Sequence, residues 1–562
     1  MKQKNDLLMQ LNRIHRKSYP AYKDLQGQYS FGEYILSIDH VQGDPFAAPS
    51  RLSIYVPHRI ADFPSGFYEN DHRRTALADF LLRAFGAELA KHTFQAKGSG
   101  KSGILTTSCP GQEILSRTAC EITSGQIILR MEAGFPANGR TINAPELEKM
   151  LCHFLPDCTR HALFYKNLDR KKLQQWIDLS DDQTYLRAEL TRRNLSAFIA
   201  DGAILPRESG VSERPMRGSI PFSAPETLRE SIDLPHLGRL TGMGIHRGIT
   251  LIVGGGYHGK STLLNALEMG VYNHIPGDGR EYVVSDPSAF KLRAEDGRSI
   301  FRTDISLFIN DLPNKKDTHA FTTEDASGST SQAANLIEAA ESGSTLLLID
   351  EDTSATNFMV RDDLMQKVIR REQEPITPFL ERARDLFEQD GISTILVAGS
   401  SGAYFHIADT ILQMDHYRPY DITEQVQQIL PGYPIPSIHA PNYHLPDFRR
   451  ILPRMHQGSD FQKVKTYGKD SFQIGKSMVE LRCLEQLTDA EQTNALAHLV
   501  RYAQSHYMDG KRTLKEIVDL LERELSANGF AHICESRSIP GGLALPRRQE
   551  IFCCFNRLRG LH

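Results

Sequence analysis

The sequence GGGYHGKS, which begins at Gly254, has the spacing of a loop that binds phosphate. Gly254 and Gly259 bracket four residues, and Lys260 and Ser261 follow directly. Such a loop needs a strand before it and a helix after it, because its backbone N–H groups and the helix N-terminus together surround the phosphate. The apolar residues 250–253 predict the strand, and TLLNALEMG predicts the helix. We therefore predict that a nucleotide binds here.

The residues of this loop have distinct expected roles. We expect Lys260 to reach the β- and γ-phosphates of ATP and to act in catalysis, and Ser261 to give its hydroxyl to Mg²⁺. The residues expected to contact ATP from this loop are Gly254, Gly255, Gly256, Tyr257, His258, Gly259, Lys260, Ser261 and Thr262.

A second Gly-Lys-Ser occurs in GSGKSG, at residues 98–103. Residue 95 is glutamine where the pattern requires glycine, and the segments on either side do not predict a strand before the turn or a helix after it. We predict a flexible basic turn here. A contact with the backbone of a nucleic acid is the alternative.

An acidic strand end supplies the other half of a hydrolytic site. The stretch TLLLIDED, residues 345–352, predicts a buried strand that ends in Asp350 and Glu351. We expect Asp350 to hold Mg²⁺ through water, and Glu351 to polarise the attacking water as general base. A strand end with two solvated acids is the alternative interpretation.

A serine–glycine pair lies between these two features. The segment ASGSTSQAANLIEAA, which begins at Ala326, predicts a helix with Ser327 and Gly328 at its N-terminus. Together with the acidic strand that follows, it resembles the signature motif of ABC-type ATPases, which closes on the γ-phosphate held by the opposite subunit. The resemblance implies that Ser327, Gly328 and Ser329 contact ATP in a dimer. A Ser/Thr-rich surface loop that caps a helix is the alternative.

Longer strings extend this resemblance over the whole chain. HVQGDPFAAPSR, GMGIHRGITLIVGGGYHGKSTLL, LLLIDEDTSATNF and the C-terminal PRRQEI with FNRLRGL are similar to the ABC-class ATPase family. One member of that family is an RNA-binding ATPase of kinetoplast mitochondria. The resemblance therefore implies a dimeric ATPase core with accessory domains, and it implies RNA or another nucleic acid as a partner.

Two departures from the ABC pattern bear on hydrolysis. Gly399, Ser400 and Ser401 stand where ABC proteins usually carry the switch histidine. No glutamine lies between the phosphate loop and Ser327 to act as the usual metal ligand. Asp304, which follows the predicted strand RSIFR, is expected to take its place at the metal. We expect hydrolysis that is slow or differently organised.

The elements that must position these residues are apolar strands alternating with helices. TLIVGG, TLLLID and STILVAG have no polar alternation, which indicates strands buried on both faces of a parallel sheet. We predict an α/β fold: an ABC-type P-loop NTPase core with a mainly parallel sheet, flanked by an α+β N-terminal domain and a small α+β C-terminal domain. The predicted domains are 1–160, 161–440 and 441–562. We also expect a helical stretch over about 162–200 and an irregular connector at 204–226.

The composition narrows the function classes. The net charge of -4 gives no general attraction to nucleic acid or to an anionic membrane, so such binding would need a local patch. No apolar run is long enough to span a membrane. The eight cysteines form no CxxC pair, which predicts free thiols in a cytoplasmic protein. Short basic clusters, each more typical of a solvated face, occur at 72–74, 97–101, 170–172, 192–193 and 547–559.

These features predict an ABC-type ATPase that binds and hydrolyses Mg-ATP at the head-to-tail interface of a homodimer, coupled to RNA or other single-stranded nucleic acid. The alternative is a scaffold on nucleic acid or protein that ATP clamps with little turnover. The motor subunit of a membrane transporter is a weaker interpretation, because the accessory domains are large and no permease segment is present.

Overall fold

The computed structural model describes residues 1–361, 374–433, 440, 442–454, 463–536 and 538–561. The chain divides into two compact units. The first unit comprises residues 1–181 and 528–545, and the second comprises residues 182–527 and 546–562. The predicted boundaries near residues 160 and 440 stay a prediction.

The first unit is built on a mixed sheet. Within residues 1–181, the strands are β1 (Lys2–Gln3), β2 (Gly27–Ser30), β3 (Ile35–His40), β4 (Ser50–Pro57), β5 (Leu105–Thr106), β6 (Glu113–Ile114), β7 (Cys120–Ile122), β8 (Gln126–Ala133), β9 (Ala137–Asn138) and β10 (Thr141–Ile142). The sheet has the order β1-β2-β3-β4-β8-β5, with β7 also paired to β8, and its one parallel pair is β1–β2.

Helices cover this sheet through apolar faces. They are α1 (Lys4–Ile14), α2 (His58–Ala61), α3 (Asp71–His92), α4 (Ala144–Lys149), α5 (Leu155–Leu163) and α6 (Arg170–Arg192), the last of which runs on into the second unit. Helix α1 buries Leu7, Leu11 and Ile14, which lie four and three residues apart and therefore share one face.

The GSGKSG segment is a turn, as predicted, with no helix after it. Gly103 has a φ of +79°, and a Cβ at this position would lie 2.1 Å from the Ala96 carbonyl oxygen. Close backbone packing therefore explains the glycine here, without a phosphate.

The described strands of the second unit form five sheets of two to six strands, apart from β17. The strands are β11 (Leu195–Ala200), β12 (Arg207–Ser209), β13 (Ser212–Pro215), β14 (Arg229–Leu234), β15 (Gly238–His246), β16 (Ile249–Val253), β17 (Asn273–His274), β18 (Val283–Ser285), β19 (Phe290–Leu292), β20 (Ile300–Thr303), β21 (Phe321–Thr323), β22 (Leu346–Asp350), β23 (Ser393–Val397), β24 (Thr410–Asp415), β25 (Arg418–Asp421), β26 (Val464–Tyr467), β27 (Ser471–Ile474) and β28 (Ser477–Glu480).

The described helices of this unit pack on those strands. They are α7 (Lys260–Met269), α8 (Gly328–Glu341), α9 (Thr356–Met359), α10 (Ala383–Asp390), α11 (Thr423–Ile429), α12 (Ala490–His506), α13 (Leu514–Ile533) and α14 (Arg548–Asn556). Helix α13 begins in this unit, and its last residues belong to the first unit.

The central sheet has the order β19-β22-β23-β16-β24-β25. Its first five strands pair in parallel, and β25 adds one antiparallel edge. Strands β22 and β23 are buried along their whole length, as their apolar sequences predict. The predicted fold class, an ABC-type P-loop NTPase core with a mainly parallel sheet, is confirmed.

This strand order brings three segments to one edge of the sheet. Strand β23 lies between β16, which leads into the phosphate loop, and β22, which ends at Asp350. Because parallel strands end at the same edge, the residues after all three strands meet there.

Two local predictions are wrong. Residues 195–200 form strand β11 instead of continuing the helix, because LSAFIA is buried on every residue between β15 and β18. The connector at 204–226 contains the hairpin of β12 and β13. In both places sheet pairing overrides the local sequence pattern.

Candidate nucleotide-binding site

The phosphate loop has the strand–loop–helix arrangement that its sequence predicts. Strand β16 ends at Val253, and helix α7 begins at Lys260. Gly259 has a φ of +97°, and a Cβ there would lie 2.7 Å from the Tyr417 ring. Among the described residues, the backbone N–H groups of residues 256–261 have no hydrogen-bond acceptor. Such a row of unpaired donors at a helix N-terminus fits the phosphates of a nucleotide.

Lys260 lies across the loop that it follows. Its Nζ donates to the carbonyl oxygens of Gly254 at 2.7 Å and Gly255 at 2.9 Å. An ammonium held there places one positive charge at the mouth of the loop, where it can meet a phosphate oxygen.

Ser261, in the first turn of α7, and Asp350, at the end of β22, are brought together from distant parts of the sequence. The Ser261 hydroxyl donates to Asp350 Oδ2 at 3.5 Å, and Asp350 Oδ1 accepts from the Asp352 N–H at 3.1 Å. Asp350 is buried at the end of β22. A hydroxyl beside a carboxylate, next to the phosphate loop, is an oxygen donor set that suits Mg²⁺.

The carboxylate of Glu351 is held by the residues that follow β23. Its Oε2 accepts from the Gly399 N–H at 2.7 Å and the Ser400 N–H at 3.1 Å, and its Oε1 accepts from the Ser400 hydroxyl at 2.7 Å. Gly399 and Ser400 stand where ABC proteins usually carry the switch histidine, and no local sequence pattern predicts their contact with Glu351. In this structure they tie down both oxygens of the expected general base.

Ser327 stands at the N-terminus of helix α8, where the sequence places it. Its carbonyl oxygen accepts from the Ser331 N–H at 2.8 Å, and its hydroxyl lies 3.0 Å from the Thr330 hydroxyl. Ser327 is exposed, and Gly328 and Ser329 are half-buried. In a single chain, the tip of α8 is therefore accessible to a partner.

Gln332 ties this helix to the turn after Glu351. Its Nε2 donates to the Ser354 hydroxyl at 3.0 Å, and its Oε1 accepts from the Ala355 N–H at 2.7 Å. Gln332 is fully buried, so its two hydrogen bonds couple the position of this turn to the start of α8.

Three buried arginines hold the far side of α8. Their partners share one helix face, three residues apart, because 3.6 residues complete a turn. Arg298 binds both oxygens of Glu338 at 2.7 and 2.6 Å, Arg450 binds Glu341, and Arg557 contacts Asn335 at 3.4 Å. Arg557 also binds Glu295, whose pKa is lowered overall although burial alone would raise it. The C-terminal basic stretch is thus partly internal.

His258 joins the phosphate loop to the turn between β24 and β25. Its Nδ1 accepts from the His416 N–H at 3.0 Å and lies 2.9 Å from Asp415 Oδ1, and its carbonyl oxygen accepts from the Tyr417 N–H at 3.0 Å. The side chains of His258, Asp415 and His416 offer ligand atoms within 4.8 Å of one another. Contacts within the group already use these atoms, so we interpret it as a brace for the loop.

Asp304 is not brought to Ser261 and Asp350. Its Oδ1 accepts from the Ser306 N–H at 3.0 Å and the Ser306 hydroxyl at 2.6 Å, and its Oδ2 lies 3.4 Å from His319. It lines a cavity of about 310 Å³ with Arg450, and no phosphate-loop residue lines that cavity. Its role as a metal ligand stays a prediction that these contacts do not support.

Three family models match successive parts of the chain. Residues 4–166 match the model described as the N-terminal part of ATPases of the ABC class, and residues 169–448 match the P-loop domain of the same ATPases. Residues 463–562 match the model of the MRB1590 C-terminal domain. The chain belongs to the ABC-class ATPase family.

A curated relative of this ABC-class ATPase is the uncharacterized protein MJ1628 of Methanocaldococcus jannaschii. The two are 32% identical over 229 residues, which are 39% of this chain and 50% of the relative. The chain thus spans about half the length of the curated relative that it matches.

Solved structures of ATP-binding cassettes resemble this chain, with low TM-scores and low sequence identity. MJ1267, a cassette of an ABC transporter in its ADP conformation, is 12% identical, covers 35% of this chain and 90% of its own, and has a TM-score of 0.24. CbiO1 of Clostridium perfringens, part of the transporter complex cbiONQ, is 13% identical, covers 40% and 87%, and has a TM-score of 0.24. The family assignment rests on the three family models.

Membership in this family brings ATP as the expected nucleotide. In the part of the chain that the structure describes, no helix is both long and apolar enough to cross a membrane. The eight cysteines are all free thiols.

Proposed function

We propose that two copies of this chain bind Mg-ATP head to tail and hydrolyse it between the phosphate loop of one copy and the tip of α8 of the other. The observation that carries the proposal is the placement of Glu351. Its carboxylate lies at the sheet edge that also holds the phosphate loop and the Ser261–Asp350 pair. An acid positioned beside a nucleotide phosphate can orient and deprotonate water.

Each residue has one proposed task. The unpaired N–H groups of residues 256–261 and the Lys260 ammonium bind the β- and γ-phosphates. Ser261 and Asp350 would hold Mg²⁺, which when bound neutralises charge on the phosphate oxygens. Glu351 accepts the proton of the attacking water. Ser327, Gly328 and Ser329 of the second copy would close over the γ-phosphate.

In a single chain no described residue covers Ser327 at the tip of α8, and in the proposed dimer the second copy closes over it. Ser327 is exposed, and Gly328 and Ser329 are half-buried beside the turn that Gln332 holds. A helix N-terminus carries about half a positive charge, which stabilises an anion bound against it. The partner's nucleotide supplies that anion in the proposed dimer.

The substitution Glu351→Gln tests this function. It keeps the size of the side chain and its acceptor oxygen but removes its ability to take a proton. We expect ATP hydrolysis to fall at least about a hundredfold, and the variant to form an ATP-dependent dimer in sedimentation velocity. Asp352→Asn, one residue further along, is the matched control. Hydrolysis at the wild-type rate by Glu351→Gln would show that Glu351 is not the base.

A clamp with little turnover is the second candidate. The three donors on Glu351 favour it, because they already occupy both oxygens of the carboxylate that must contact the attacking water. Steady-state turnover, measured with and without single-stranded RNA, separates the two functions. Turnover near background in both conditions, with a dimer still formed by ATP, would favour the clamp.

RNA or another single-stranded nucleic acid is the proposed partner, and the cytoplasm is the proposed location. The match of residues 463–562 to the MRB1590 C-terminal domain supports the first. The free cysteines agree with the second.

A further inference from the structure

Six side chains of the first unit form a surface that combines exposed rings with positive charges. We call it the aromatic–basic surface, and its residues are Arg16, Phe46, Phe94, Lys97, Lys101 and Arg140. We propose that this surface binds single-stranded nucleic acid, with bases on the two rings and phosphates on the four cations. The inference rests on the nucleic-acid part of the proposed function and gives it a location.

Backbone hydrogen bonds place these residues on one continuous set of loops. The turn at 98–103 lies at the centre, since the Lys101 N–H donates to the Pro45 carbonyl oxygen at 2.8 Å and the Phe94 N–H donates to that of Gly103 at 2.7 Å. Phe46 and Phe94 are therefore fixed on two sides of the same turn.

The remaining cations join through the hairpin of β9 and β10. The Gly139 N–H donates to the Ser99 hydroxyl at 2.9 Å, which brings Arg140 beside the turn. The Arg16 N–H donates to the Ile142 carbonyl oxygen at 3.1 Å, which brings the end of α1 to the same hairpin. The sequence scatters these residues over 125 positions, and the fold gathers them.

The two rings are exposed where burial would be expected. Phe46 is 63% exposed and Phe94 is 58% exposed. Phe94 also has a φ of +61°, a left-handed conformation that bulky residues rarely adopt. A rigid aromatic ring presented to solvent at a conformational cost is typical of a residue that meets a ligand.

Some basic residues of this unit are already paired with acids. Arg73, Arg83 and Arg130 form ion pairs with Asp181, Asp79 and Glu121. Among the residues that the structure describes, Arg16, Lys97, Lys101 and Arg140 have no carboxylate within ion-pair distance. Positive charge without a counter-charge is available to phosphate.

The acids nearest to this surface are already engaged. Glu146 accepts from the Lys97 N–H at 2.8 Å and pairs with Lys149 at 2.8 Å, which lowers its pKa. Asp44 accepts from the N–H groups of Phe46 and Ala47. Neither carboxylate forms an ion pair with a cation of the surface, although the charge of Lys97 contributes to the lowered pKa of Glu146. Burial raises the pKa of a third acid, Glu132, and the charges of Arg51 and Lys101 act against that rise.

Exposed rings beside cations fit an unpaired strand better than a duplex. Bases stack on aromatic side chains only when they are not stacked on each other in a helix, while the cations follow the phosphates. An anionic lipid surface would also meet rings and cations, but it favours an amphipathic helix with a wide apolar face, and this surface consists of loops.

The test uses the full-length chain and fluorescently labelled homopolymer strands, one RNA and one DNA, with anisotropy at two salt concentrations. Phe46→Ala with Phe94→Ala should weaken binding about tenfold or more, because stacking contributes on each ring. Phe46→Tyr with Phe94→Tyr should bind as wild type does. Lys97→Gln with Lys101→Gln should reduce the salt slope by about 0.7 for each cation.

Lys171→Gln with Lys172→Gln is the matched control, because both lysines are exposed in the same unit and lie outside this surface. ATP binding by every variant should equal that of wild type. Binding of single strands by wild type and equally by the alanine variant would overturn the inference and leave the proposed function standing. Failure of wild type to bind either strand, or its binding to anionic vesicles alone, would overturn both the inference and the nucleic-acid partner. The RNA and DNA arms identify which strand is preferred.

Discussion

The Ser400 hydroxyl donates a 2.7 Å hydrogen bond to Glu351 Oε1, although the two residues lie 49 positions apart and follow two neighbouring strands. Together with the N–H groups of Gly399 and Ser400, it occupies the carboxylate that the proposed reaction needs as a base. This contact suggests that residues 399–400 restrain hydrolysis until the site closes.

Removing that hydroxyl should therefore change the rate. We expect Ser400→Ala to raise basal ATP hydrolysis about tenfold, because a charge-assisted hydrogen bond of this kind contributes about 1.5 kcal/mol or more. Ser401→Ala, whose hydroxyl instead accepts from the Ala403 N–H, is the control. A fall in the rate of Ser400→Ala would mean that the serine orients Glu351 for catalysis.

The Ser261–Asp350 pair should govern metal dependence. Asp350→Asn keeps the shape of the pair and removes its charge, so we expect the Mg²⁺ concentration for half-maximal ATP binding to rise about tenfold or more. Binding of ATP without Mg²⁺ should change little. A variant with an unchanged metal titration would remove Asp350 from the site.

The hydrogen bond between the His416 N–H and the His258 ring should affect the affinity of the loop for ATP. His258→Ala removes the acceptor of the His416 N–H, so we expect a looser loop and a Kd for ATP that is about fivefold higher. His416→Ala keeps the backbone donor and should bind ATP as wild type does. Equal affinities measured by calorimetry for both variants would show that the contact has no effect on the loop.

Arg557 should stabilise the second unit and place α8. Arg557→Met leaves Glu295 buried with one charged partner fewer, so we expect the free energy of unfolding to fall by about 3 kcal/mol. Adding Glu295→Gln to this variant should recover part of that loss. An unchanged melting temperature in the single variant would contradict the role given to this ion pair.

His498 predicts a pH dependence of stability. Burial, helped by Arg501, lowers the pKa of His498 from 6.5 to about 4. A lowered pKa means that the folded state resists protonation, so the contribution is present above pH 6.5 and is lost as the pH falls towards 4. We expect His498→Gln to lose less stability than wild type over this window, by about 3 kcal/mol at most. Parallel unfolding curves at pH 7 and pH 4.5 would contradict the prediction.

The site residues that lie close together in the sequence could be predicted from it. The residues that the fold brings to the site from distant segments could not. The glycine spacing, Lys260 and the strand end at Asp350 follow local rules, and the structure places them as expected. Ser400 and Asp415 reach the site only because of the strand order, which no local pattern specifies. The helical stretch predicted up to about residue 200 ends earlier, because residues 195–200 pair with two strands.

The sequence also does not show which basic side chains are paired with acids. The C-terminal arginines read as a basic cluster in the sequence, but Arg547 pairs with Glu550, Arg548 pairs with Glu522, and Arg557 is buried. The opposite holds for Lys97 and Lys101, which lie in another of the basic clusters of the sequence and form no ion pair with a described carboxylate. Only the partners of each cation distinguish the two cases.

Mixing two inactive variants tests the shared site most directly. Lys260→Ala disables the phosphate loop, and Ser327→Arg blocks the exposed tip of α8 without touching the core. In a head-to-tail dimer of one copy of each, one composite site is intact, so the equimolar mixture should regain up to about a quarter of wild-type ATP hydrolysis while each variant alone stays at background. A mixture no more active than its components would contradict a site built from two chains.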